Sequence, residues 1–108
     1  MAACLTVFVA PVQALTLTMQ DCREGAQFIE NAALSRDNGM SANAFVTRLE
    51  EDLILIKSFP ASVRWFARDE DDADFLRRSV NRVFDAPEPA GRHRQHFLEA
   101  CLLVAADH

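Results

Sequence analysis

The chain has 108 residues, half of them hydrophobic and a quarter charged, which is the composition of one globular domain and not of a disordered polymer. Its formal net charge of -5 argues against a general nucleic-acid binder, because phosphate recognition needs a basic field. Tyrosine is missing and lysine occurs once, at Lys57, against ten arginines.

From Ala2 to Ala14 the chain carries no charge, and Val12-Gln13-Ala14 has the small-residue pattern that precedes signal-peptidase cleavage. The stretch is too short to cross a bilayer as a helix, so no stable span is expected after processing. No Lys or Arg precedes it, which makes the signal residual or atypical. The expectation is an export signal over residues 1–14 and a single helical domain over 15–108, placed in the periplasm or secreted. The same residues also read as a buried strand or apolar arm, since Leu5-Thr6-Val7-Phe8-Val9 is β-branched and aromatic.

Cysteine usage fits export. Cleavage after Ala14 removes Cys4 and leaves Cys22 and Cys101, a natural disulfide pair in an oxidising compartment. A bond between them closes a loop of about 80 residues, worth roughly 4 kcal/mol in the chain-entropy picture. The competing reading is two buried thiols acting as small hydrophobes.

Hydrophobic spacing then predicts four to five short helices, an all-α bundle. The first opens at Asp21 as N-cap, with Glu24 as capping-box partner, and carries Cys22, Ala26, Ile29 and Ala33 on one face. Gly39 is placed to end it in the left-handed conformation. Ser41 caps a second helix whose stripe is Phe45, Leu49, Leu53 and Ile56. Its end, Leu53-Ile54-Leu55-Ile56, is apolar nearly all round and is expected to be buried on several sides. Phe59-Pro60 stops it, and Pro60 opens a short helix carrying Val63, Trp65 and Phe66.

The next helix takes Asp71 or Asp72 as N-cap, an acidic first turn that suits the helix dipole. Leu76, Val80, Val83 and Phe84 form its apolar face, and Asp74 is spaced to pair with Arg78. Two prolines and Gly91 mark a loop. A last helix runs from about Arg92 to Ala106, with Phe97, Cys101, Val104 and Ala105 on one side.

Chemistry is sparse in this pattern. His93 and His96 are spaced to share one side of a helix, but Arg92 and Arg94 flank them and too few further ligands follow, so a solvated face is expected and no metal. The run Asp69 to Asp74 lacks the glycine turn and distal Glu of a calcium loop. No nucleophile elbow or phosphate-cradling loop occurs, so neither an enzyme nor a cofactor is expected. The segment Arg64-Trp65-Phe66-Ala67-Arg68 unites residue types enriched at binding hot spots. Arg64, Trp65 and Arg68 are therefore the candidate partner-binding residues. The competing reading is a core aromatic with arginine stems lying over it.

From Cys22 to Cys101 the order of features resembles small exported two-cysteine helical proteins of Gram-negative bacteria. The resemblance rests on Cys22 in a first helix, Arg36-Asp37-Asn38-Gly39-Met40-Ser41 between helices, Pro60, the pair Pro87 and Pro89, and Cys101 in the last helix. Periplasmic acid-stress chaperones and immunity proteins are similar in size, export and helicity, and no functional residue carries over from either. The expected function is a non-catalytic protein-binding or protective role in the periplasm, with another envelope protein as partner. Its rivals are a cytosolic regulatory or adaptor domain, a small enzyme or metal protein using His93, His96 and nearby carboxylates, and an acid-stress chaperone or immunity-type protein.

Overall fold

Thr18 starts the first helix. In the computed structural model, which describes residues 17–106, the Asp21 N–H donates to Thr18 Oγ1 at 3.1 Å and the Thr18 N–H donates back to the Asp21 carboxylate at 2.9 Å. This is a reciprocal capping box. Asp21 is thus its third helical residue and not the N-cap, and Glu24 plays no part in it. The export-signal stretch of residues 1–14, with Cys4, lies outside the described residues, as does His108.

Helix α1 spans Met19–Asp37. It ends in a Schellman turn, with Gly39 at φ 95° and the Met40 N–H returning to the Ser35 carbonyl at 2.9 Å. Ser41 then caps α2, Ala42–Ile56, as its sequence position predicts, by accepting from the Ala44 N–H. Pro60 opens only a single 3₁₀ turn, Ala61–Val63, with Trp65 and Phe66 in the bend beyond it. Asp69, not Asp71 or Asp72, caps α3, Glu70–Asp85, and places Glu70, Asp71 and Asp72 in its first turn. Helix α4, Ala90–Ala106, starts two residues before Arg92. Among the described residues the architecture is all-α, four helices and one 3₁₀ turn.

One buried cluster draws on all four helices. The pair α1 and α4 forms the principal helix contact, and α3 packs on α1 as well. Gly25 makes the α1/α4 contact possible: a Cβ there would stand 2.6 Å from Phe97 Cε1 and 2.9 Å from Phe66 Cε2. Two aromatic rings therefore close over bare backbone. Phe66 is fully buried and adopts a left-handed φ of 52°, a costly conformation for a bulky side chain.

Two arginines join the helices through polar contacts. Arg36 donates to the Val83, Ala86 and Glu88 carbonyls at 2.7, 3.1 and 2.7 Å, satisfying the open C-terminal end of α3. Arg77 binds Glu50 of α2 through two nitrogens, at 2.6 and 3.2 Å. It also pairs with Asp74, displacing the expected Asp74–Arg78 pair.

Helix α2 is the least enclosed element. Leu49 and Leu53 are buried, but Ile54 and Leu55 are 68% and 65% exposed, so the apolar end of α2 is not covered on several sides. The helix packs on α3 and meets α1 sparingly, chiefly through the Phe28 and Phe45 rings, 5.7 Å apart.

Candidate binding surface

Cys22 and Cys101 stand at disulfide-bonding distance, with Cα atoms 5.6 Å apart and both residues fully buried. They tie the first turn of α1 to the last third of α4. Next to them the Arg68 guanidinium reaches across to the Asp21 carboxylate with contacts of 2.5 and 3.1 Å. Burial alone would push the Asp21 carboxyl up. The bonds from Arg68 and Thr18 together outweigh it and hold the group below the usual carboxylate range, while Asp21 raises Arg68 in turn. Asp72, also buried, accepts from the Arg68 N–H at 3.3 Å. Its carboxyl is pushed up to about 6 by burial and by the charge of Asp69.

Of the three candidate partner-binding residues, the two arginines have work inside the chain. Arg64 donates to the Phe59, Arg68 and Lys57 carbonyls at 2.8, 3.2 and 3.3 Å. It thereby holds the segment between α2 and α3 as a closed strap. Arg68 is taken up by Asp21. Trp65 is half-buried, its ring edge-on to Phe28 at 5.4 Å. The indole also lines part of a larger feature.

That feature is the groove left where α2 fails to close on α1. Its two halves, about 420 and 460 Å³, share Phe28, Leu49 and Asp52. The first half is lined by Phe45, Arg48 and Met40 of the α2 side and by Asn31 and Ser35 of α1. The second is more apolar, with Leu53, Leu55, Ile56 and Trp65. Beyond it Phe59 and Val63 of the strap are 55% and 66% exposed. Four of the largest exposed hydrophobic side chains, Ile54, Leu55, Phe59 and Val63, thus fall within ten residues of sequence. A concentration of this kind marks an interaction surface more often than scattered apolar residues do. An elongated groove between helices, apolar at its floor, suits an amphipathic helical segment.

The histidines divide. His93, expected on a solvated face, is 2% exposed, with Nε2 3.0 Å from the Ala86 carbonyl. It belongs to the α3/α4 corner that Arg36 organises. His96 stays near the surface, 3.9 Å from Glu88, beside a cavity of about 230 Å³ lined by Ile29, Ser79, Arg82 and Phe97. Among the described residues, no three or more His, Cys, Asp or Glu side chains cluster as a metal site, and no helix is long and apolar enough to cross a membrane.

Comparison of the chain with protein-family profiles, curated proteins and solved structures finds no match. The surface is therefore interpreted from its own chemistry. Sequence reasoning passed over Phe28, which lies outside the buried stripe of α1, and it assigned Leu55 to the interior. The signal available was the mismatch within α2. Leu49 and Leu53 already complete one core stripe, so Ile54 and Leu55 on other azimuths have to find a separate partner.

Proposed function

We propose that the protein is a non-catalytic binding domain of the cell envelope, with the groove between α1 and α2 as its working surface. The groove carries this reading: its two adjoining halves share Phe28, Leu49 and Asp52, and the more apolar one brings the half-buried Trp65 together with Phe28, Leu53, Ile56 and the exposed Leu55. The polar clusters elsewhere are absorbed in holding the fold, as Arg36, Arg64, Arg68 and Arg77 show. The envelope location is supported by the signal-like start and by a buried cysteine pair at bonding distance, which an oxidising compartment sustains.

A photo-crosslinking residue at position 55, compared with one at the exposed Gly91 of α4, tests the assignment in the native host. The expected result is a discrete protein adduct from position 55 and none from position 91. Adducts from neither position would sink the groove as a binding surface.

A further inference from the structure

We propose that the occupant of the groove is α2 of a second copy of the chain, so that the protein is a two-fold symmetric dimer. This rests on the groove being a protein-binding surface, and adds what fills it. Helix α2 lines one half of the groove with Phe45, Arg48, Leu49 and Asp52 and the other with Leu49, Asp52, Leu53, Leu55 and Ile56. Leu49 and Leu53 are its buried floor, and Phe45, Arg48, Asp52 and Leu55 run beside them. Their spacings of three, four and three residues place them on a single stripe of the helix, as alternate seam positions of a coiled coil are placed.

The stripe is complementary to its own image. In two copies of α2 packed antiparallel about a two-fold axis level with position 50, Phe45 lies opposite the partner's Leu55. Arg48 lies opposite the partner's Asp52. The symmetry repeats both contacts, giving two ion pairs at the centre and an apolar pair at each end. An isologous interface needs this self-matching of one patch, and a stripe with both charges of one sign would oppose it. Among the described residues neither Arg48 nor Asp52 forms an ion pair within the chain, although Glu50 on the neighbouring face is held by Arg77. Leu55, 65% exposed in the single chain, would be covered. A different partner would have to present the order apolar, acidic, basic, apolar, which this helix already carries when read in reverse.

Sedimentation equilibrium of the oxidised full chain at low salt tests the dimer, using charge reversals at exposed positions that leave the helical circular dichroism unchanged. Wild type is expected to dimerise, and Arg48→Asp and Asp52→Arg are each expected to weaken dimerisation at least about tenfold, since each replaces two attractions by two repulsions. An equimolar mixture of the two variants is expected to dimerise again, because every central contact is then Asp against Arg. Leu55→Asp should dissociate the dimer, while Leu103→Asp, at an exposed leucine of α4, should not.

A wild-type chain that stays monomeric, or a mixture no tighter than its components, would overturn the dimer. If such a monomer still crosslinks another protein from position 55, the groove remains a binding surface with a different occupant. If it crosslinks nothing, both proposals fall.

Discussion

Asp21 and Arg68, 47 positions apart, form a two-point ion pair that seals the N-terminal turn of α1 to the strap before α3. Both side chains are largely out of water, at 8% and 16% exposure. Removing one partner therefore leaves a charge with little solvent to compensate it. Thr18 still bonds Asp21, so the loss is partial. Arg68→Ala is expected to lower unfolding stability by about 1–3 kcal/mol, read as a lower urea midpoint. Arg68→Lys should recover only part of it, because an ammonium does not match both carboxylate oxygens as the planar fork does.

The same corner gives the protein an asymmetric response to pH. Asp72 holds its proton more tightly in the folded chain, at about 6, than at its ordinary value of 3.8. Folding therefore takes up a proton, and stability rises as pH falls from 7 through 6 toward 4. Asp21 acts in the opposite sense: its contribution is complete above the ordinary aspartate range and is lost as pH falls below it. The expected urea midpoint is higher at pH 5 than at pH 7.5 and declines below pH 4. Asp72→Asn should flatten the rise while keeping the decline. An acid-activated chaperone unfolds and binds client proteins at low pH as its carboxylates protonate, so protein that remains folded and inert near pH 2 would exclude that rival.

Gly25 and Gly91 make a paired test of the core. Both are helical, but a methyl group on Gly25 would drive into Phe97 and Phe66, whereas one on Gly91 meets nothing within 4 Å. Gly25→Ala gains helix propensity and still loses stability, by roughly 1–3 kcal/mol, because the two rings must leave their seats. Gly91→Ala should gain up to about 1 kcal/mol from propensity alone. Thermal midpoints that move in the same direction for both would contradict the close packing of α1 on Phe97.

What could be read from the sequence was what acts locally or by counting. Ser41 and Gly39 work through their own neighbours, so their cap and turn were visible in a few residues. The cysteine pair followed from counting, since the expected cleavage after Ala14 leaves Cys22 and Cys101 alone. The caps at Thr18 and Asp69 were missed because acidic residues nearby offered equally good local signatures. Thr18 and Asp21 do form a capping box, but with Asp where Glu or Gln is usual. The surface lay further out of reach. Whether Leu55 is buried depends on how α2 meets α1, and that depends on Phe28, Phe45 and Trp65 touching across long stretches of chain. Phe66 escaped for a related reason. Its left-handed φ is held by the packing of Phe75 and Phe97 around it, not by any local preference.

The link between Cys22 and Cys101 joins residues 79 positions apart, so its removal releases nearly the whole domain in the unfolded state. Cys22→Ala with Cys101→Ala is expected to cost about 3–4 kcal/mol on the chain-entropy account. Alanine is the better replacement, since serine would bury a hydroxyl in a site where both cysteines are fully enclosed. Dithiothreitol on the wild type should reproduce the loss and leave the double variant unaffected. Intact mass of the protein from its native host, with thiols alkylated before reduction, tests the compartment at the same time. A mass matching residues 15–108 without alkylation would establish both processing and the bond. A full-length mass with alkylated thiols would place the chain in a reducing compartment, and the regulatory or adaptor reading would then take precedence over an envelope role.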